Sequence, residues 1–150
     1  MPESAPHDRP YARADDRAAV ERVNATFYEA FENADLDLMR DLWFDHDEAL
    51  CVHPGALPVR GTPAISRSWA LIMANTPYIQ FFLTDVEVSV VADVASVTCT
   101  ENVLTADDRA GPEGFGGARA VATNVFLRTE GGWRLWIHHA SPVLSGPDHD

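Results

Sequence analysis

The hydrophobic pattern of this chain changes its period close to residue 78, and that change limits the possible folds more than any other feature. Before it, apolar residues recur every three or four positions, the spacing of one buried helical stripe. After it, β-branched and aromatic segments follow one another without an intervening helix. Consecutive strands of this kind form an antiparallel meander, so the sequence predicts an α+β domain whose helices cover one sheet face.

Three helices are predicted in the first half. The first runs from Asp15 to Ala34, the second is capped by Asp35, and the third has Thr62 as its cap and Pro63 at its first position. Their predicted buried stripes are Val20, Val23, Phe27 and Phe31 on the first, Leu36, Met39 and Trp43 on the second, and Ile65, Trp69 and Ile72 on the third.

Composition and charge limit the possible functions. The 150 residues, 46% of them hydrophobic, suit one domain over residues 15–144, with polar tails at 1–14 and 145–150. The formal charge of −12 disfavours nucleic acid and anionic membrane surfaces, which recruit lysine and arginine clusters. We find no apolar run of bilayer length and no apolar signal segment, so a cytoplasmic protein is expected. Cys51 and Cys99 are predicted to be buried free thiols.

The last two strands give a testable register. If Gly131 and Gly132 form a two-residue turn, Asn124 lies opposite His139, and these two side chains share a face with Ser141 and Phe126. Alternation then places a second apolar set on the opposite face. Because helices cover only one face, we expect another subunit to cover the other. The predicted dimer interface consists of Trp136, His138, Val125 and Leu127.

Four segments in this order resemble the NTF2-like superfamily, in particular its SnoaL-like and ketosteroid-isomerase-like branch. They are "ENADLDLMRDLW", "EALCVHPG", "GTPAISRSW" and "ATNVFLRTEGGWRLWIHHASP". The resemblance implies a cone of three helices on a strongly bent antiparallel sheet, a pocket between them, and pairing through the outer sheet face. It also implies that His53 stands where isomerase-type members place a general-base aspartate, and Phe27 about where they place an oxyanion tyrosine.

The candidate catalytic residues are His53, Glu101 and His139, and each has a structural alternative. His53 is either a pocket base or a loop histidine bonded to the backbone. Glu101 lies among apolar neighbours, so it either has a raised pKa or pairs with an arginine such as Arg119. His139 either lines the pocket or forms a buried hydrogen-bonded pair with Asn124.

The predicted ligand pocket is otherwise mainly apolar. Trp69 is either a core residue or a platform for the ligand. The residues predicted to line the pocket are Phe27, Trp69, Asn124, Phe126 and Ser141.

Two functions remain open from the sequence. The first is a dimeric domain that binds a small, apolar, carbonyl-bearing molecule without catalysis, favoured because the phenyl ring of Phe27 cannot donate a hydrogen bond to an oxyanion. The second is an isomerase, cyclase or dehydratase with His53 as general base. Because no histidine pair has helical ligand spacing and no cysteines cluster, neither a metal nor a cofactor is expected.

Overall fold

The structure, a computed structural model, describes residues 14–106 and 117–144. Residues 1–13 of the predicted tail at 1–14, the predicted tail at 145–150, and all but the end of the glycine-rich loop at 107–117 lie outside the described residues. The first helix begins at Ala14, one residue before its predicted start at Asp15 and at the last residue of the predicted tail. The elements are α1 (Ala14–Glu32), α2 (Leu36–Leu42), β1 (Leu50–Val52), β2 (Val59–Arg60), α3 (Thr62–Ala74), β3 (Ile79–Val91), β4 (Val94–Thr105), β5 (Ala118–Thr129) and β6 (Gly132–Pro142).

The three predicted helices and the four-stranded meander are confirmed. Strands β3 to β6 pair antiparallel in sequence order, and the helices pack on one face of the sheet. The sheet differs from an all-antiparallel one at its other edge. There β1 joins β6 in parallel and β2 pairs with β1, which gives the order β2-β1-β6-β5-β4-β3.

The predicted N-terminal cap is confirmed for α2 and is wrong for α3. Asp35 caps α2 as predicted, because its Oδ1 accepts from the Leu38 N–H at 3.1 Å. The cap of α3 is Gly61, not Thr62, since the chain enters this helix with a φ of 88° that favours glycine. The Thr62 hydroxyl instead donates to Asp45 at 2.6 Å.

The β5–β6 hairpin differs from its predicted register. Thr129 pairs with Gly132, so the two-residue turn is Glu130-Gly131 and not Gly131-Gly132. Phe126 then pairs with Leu135, and its neighbour in β5 pairs with Ile137. Trp136 is therefore an extra, unpaired residue in β6, that is, a β-bulge. Beyond a bulge, the side chains that would point to one face of the sheet point to the other.

The bulge corrects the predicted orientation of both histidines. Asn124 pairs with His138, whose side chain is buried on the inner face. His139 pairs with Thr123, and both are exposed on the outer face. Ser141 is exposed as well. The prediction that His139 and Ser141 face the pocket is therefore wrong, as is the place of His138 at an outer interface.

The core lies between the helices and the inner sheet face. Phe27, Trp69 and Phe126 are among its largest fully buried side chains. Both predicted free thiols, Cys51 and Cys99, are buried there.

Candidate functional site

An apolar cavity of about 280 Å³ lies between α1, α3 and the inner face of the sheet. Its walls are mostly aromatic and aliphatic, and the polar side chains among them are therefore poorly solvated. Of the residues predicted to form the site, four line this cavity: His53, Glu101, Phe27 and Trp69. Other lining side chains include Tyr28, Phe31, Phe81 and His138.

His53 follows β1 directly and reaches the cavity beside the third helix. Its Nε2 lies 3.1 Å from Ser68 Oγ, while the Ser68 hydroxyl donates to the Ile65 carbonyl at 2.8 Å. With its one hydrogen on the Ile65 carbonyl, the Ser68 hydroxyl accepts from His53, and this arrangement places the ring proton of His53 on Nε2. Burial lowers the pKa of His53 below its ordinary value of 6.5. The ring is thus neutral near pH 7, with Nδ1 as its basic nitrogen.

Glu101 and Tyr28 form the second polar group of the cavity wall. The Tyr28 hydroxyl donates to Glu101 Oε2 at 2.6 Å, so tyrosine rather than Arg119 is the partner of this carboxyl group. Both side chains are buried. Burial raises the pKa of Glu101 to about 7, although the Tyr28 hydrogen bond opposes that shift. Of the two alternatives for Glu101, the raised pKa is the one that the structure supports.

His138 and Asn124 form the third polar group. His138 Nδ1 lies 2.6 Å from Asn124 Oδ1, and both side chains are buried. Burial, followed by the nearby His53 and His139, lowers the pKa of His138 to about 3. His138 is therefore a neutral ring and a weak base. The buried amide-histidine pair predicted for His139 exists, but with its neighbour in the sequence.

Two further predicted pocket residues, Asn124 and Phe126, are buried but do not form the wall of the cavity. Phe126 is fully buried in the core, and Asn124 reaches the cavity only through His138 and Tyr28. Trp69 is a core residue, one of its two predicted alternatives, because it is 1% exposed and contacts the His53 ring edge to face at 4.8 Å. It also lines the cavity, and its use as a platform for a ligand stays a prediction.

Tyr28 is a polar side chain of the cavity wall that the sequence analysis does not identify. The predicted helical stripe includes Phe27, an aromatic ring without a hydrogen-bond donor, and not its neighbour Tyr28. Asn24 and Tyr28 stand four residues apart, so they share a face of α1. An asparagine and a tyrosine at that spacing, next to the apolar stripe, are the sequence signal for it.

Two negative findings concern the described residues only. Among residues 14–106 and 117–144, no cluster of three or more histidine, cysteine or acidic side chains has the geometry of a metal site. Within the same described ranges, the helices include none with the length and hydropathy of a membrane span.

Known structures with this architecture include two with high similarity. A Streptomyces avermitilis structure described as a candidate dehydratase of the NTF2-like family is 50% identical, with a TM-score of 0.78 over 87% of this chain and 98% of that chain. A structure from Thiobacillus denitrificans, described as a candidate calcium/calmodulin-dependent protein kinase type II association domain, is 30% identical. Its TM-score is 0.73 over 83% of this chain and 94% of that chain.

Sequence comparisons agree with the fold. The Arabidopsis thaliana F-box protein SKIP8 is 27% identical over 126 residues, which are 84% of this chain and 50% of that protein. The chain thus spans about half the length of this curated relative. A SnoaL-like domain family model matches residues 20–145. This chain therefore belongs to the SnoaL-like family of the NTF2-like superfamily.

Proposed function

We propose that this chain is a proton-transfer enzyme that dehydrates a small β-hydroxy carbonyl compound in the cavity. The observation that carries the proposal is that a neutral histidine and a carboxyl group of raised pKa line the same apolar space. Such catalysis typically uses two titratable groups whose surroundings shift their pKa values, so that near pH 7 one acts as base and the other as acid. The 50% identical structure described as a candidate dehydratase further supports this reaction class.

The proposed reaction moves two protons. His53 Nδ1 takes a proton from the carbon next to the substrate carbonyl, and the electron pair of that C–H bond forms the new C=C bond. The C–O bond of the β-hydroxyl breaks as Glu101 donates its proton to the leaving oxygen, which departs as water. The Tyr28 hydroxyl stabilises the resulting Glu101 carboxylate. The proton on His53 then returns to Glu101 through water, which restores the starting state.

The test uses the aldol adduct of benzaldehyde and acetone as substrate. This adduct is a neutral β-hydroxy ketone with one ring, and its dehydration gives benzalacetone. We expect turnover by the wild type and a loss of about 10²- to 10⁴-fold in His53→Gln, because general bases contribute that much. His46→Gln, a change at an exposed histidine, is the matched control and keeps its rate. Binding of the adduct without turnover by the wild type would contradict catalysis and favour a binding domain.

We also propose a homodimer formed through the outer face of β4, β5 and β6. The described helices leave that face open, and Val121, Val125 and Ile137 give it apolar area. The similar structure described as a candidate kinase association domain supports a role in assembly.

Thr123 lies at the centre of the proposed interface, between Thr98 and His139, so a charge there tests the dimer. Sedimentation should give twice the chain mass for the wild type. Thr123→Glu is expected to weaken association by at least tenfold, since an unpaired charge would be buried. Ala25→Glu adds the same charge to an exposed position on α1 and should not change association. A wild-type monomer at micromolar concentration would contradict the dimer.

A further inference from the structure

Asn124 links three elements through the polar atoms of one side chain. Its Nδ2 donates to Asn24 Oδ1 at 2.8 Å and to the Tyr28 hydroxyl at 3.2 Å, both on α1. Its Oδ1 lies 2.6 Å from His138 Nδ1 on β6. Both amide hydrogens are therefore used on the helix side. A flipped amide would place its carbonyl against Asn24 Oδ1, so that two acceptors would face each other. These contacts fix which end of the amide faces the histidine.

The orientation of the Asn124 amide determines which ring nitrogen of His138 carries the proton. Because Asn124 Oδ1 can only accept, His138 Nδ1 must carry the ring proton. In a neutral ring Nε2 then holds a lone pair and cannot donate. The groups that surround this ring are His53 at 6.5 Å, Phe27 at 4.9 Å and Trp69 at 6.2 Å between ring centroids, with His139 next in sequence. None of these groups carries a negative charge that would stabilise a second proton on His138.

We propose that Asn124 is a positioning residue that holds His138 as a hydrogen-bond acceptor toward the cavity, so that the site selects ligands presenting a hydroxyl group there. This inference rests on the proposed function only in assuming that a small molecule occupies the cavity. Such an acceptor matches the hydroxyl of a β-hydroxy carbonyl compound. Leaving the lone pair unpaired beside an apolar ligand would cost binding energy, which is the physical basis of the selection.

The first test reads the His138 tautomer without any ligand. Nitrogen-15 NMR of the imidazole rings should assign the proton of His138 to Nδ1 in the wild type. In Asn124→Leu, which removes the acceptor while keeping the branch at Cγ, that tautomer should no longer dominate. If this variant does not fold, Asn124→Ser removes the same carbonyl with less loss of polarity. Wild-type His138 protonated at Nε2, or an unchanged tautomer in the folded variant, would overturn the proposal.

The second test uses β-naphthol and naphthalene as matched probes. The cavity exceeds the roughly 150 Å³ that holds one benzene ring, so two rings are a suitable size. The wild type should bind β-naphthol about five- to tenfold more tightly than naphthalene, the usual effect of one hydrogen bond. His138→Phe should reduce that preference to within about twofold because it removes the acceptor, whereas Asn33→Leu, at an exposed asparagine, should retain it. Asn124→Leu is read by the tautomer alone, since a His138 ring protonated at Nε2 can donate to the same hydroxyl.

Either of two binding results would overturn the selection. The first is that the wild type does not bind β-naphthol, or binds it no more tightly than naphthalene. The second is that His138→Phe still prefers β-naphthol over naphthalene. Both tests are made without turnover. A protein that passes them but dehydrates nothing would contradict the proposed function alone.

Discussion

Glu101→Gln is expected to lower kcat/KM for the dehydration by about 10²- to 10⁴-fold, the range for loss of a general acid. Glutamine retains an oxygen that can accept from the Tyr28 hydroxyl, so the buried contact at 2.6 Å has a replacement. It has no carboxyl proton to give to the leaving hydroxyl. The measurement is steady-state formation of benzalacetone by the purified variant.

The matched control for this substitution is Glu87→Gln. Glu87 is an exposed carboxylate on β3, the strand next to that of Glu101, and its change should leave kcat/KM within about twofold of the wild type. A Glu101→Gln variant that retained more than half of the wild-type rate would contradict the role of this carboxyl group as the acid.

Trp69→Ala is expected to lower the free energy of unfolding by about 3 to 5 kcal/mol, as for other truncations of large core aromatics. Trp69 is 1% exposed and packs edge to face on both Phe27 and Phe31. Leu71→Ala on the same helix is the control, because Leu71 is 65% exposed and surface changes usually cost little. Urea denaturation measures both. A loss below about 1 kcal/mol in Trp69→Ala would contradict the assigned core face of α3.

Periodicity was sufficient to predict the three helices and the meander, because each depends on local spacing. The aromatic face of α3 and the cap at Asp35 also follow from neighbouring residues. The pairing of β1 with β6 could not be predicted in this way. It joins segments more than 80 residues apart, and the three residues of β1 are too few to show a strand period.

The two adjacent histidines show where local reasoning fails. The observed turn lies one residue before the predicted turn, so near the turn each residue of β5 pairs with a β6 residue two positions earlier than predicted. Because side chains alternate with a period of two, the same side chains still share a face there. Accordingly Trp133, Leu135, Phe126 and Asn124 are buried on one face, as predicted. The bulge at Trp136 then exchanges His138 with His139. Alternation alone contains no signal for that extra residue.

The candidate site was predicted in part for the same reason. Glu101 stood out in the sequence as a carboxyl group among apolar neighbours on a strand. Its partner Tyr28 lies 73 residues away on α1, and only the packing of that helix on the sheet brings them together. The family resemblance implies a role for His53, whereas its contact with Ser68 depends on how α3 packs beside β1.

The most direct test of the central claim is the pH dependence of wild-type kcat/KM for benzalacetone formation. His53 must be neutral to act as base, so the rate should fall on the acid side, below the ordinary histidine value of 6.5, as the ring gains a proton. Glu101 must be protonated to act as acid, so the rate should also fall as pH rises through about 7. The account predicts a bell-shaped profile between these limits. A rate that rises steadily through pH 7 would contradict it.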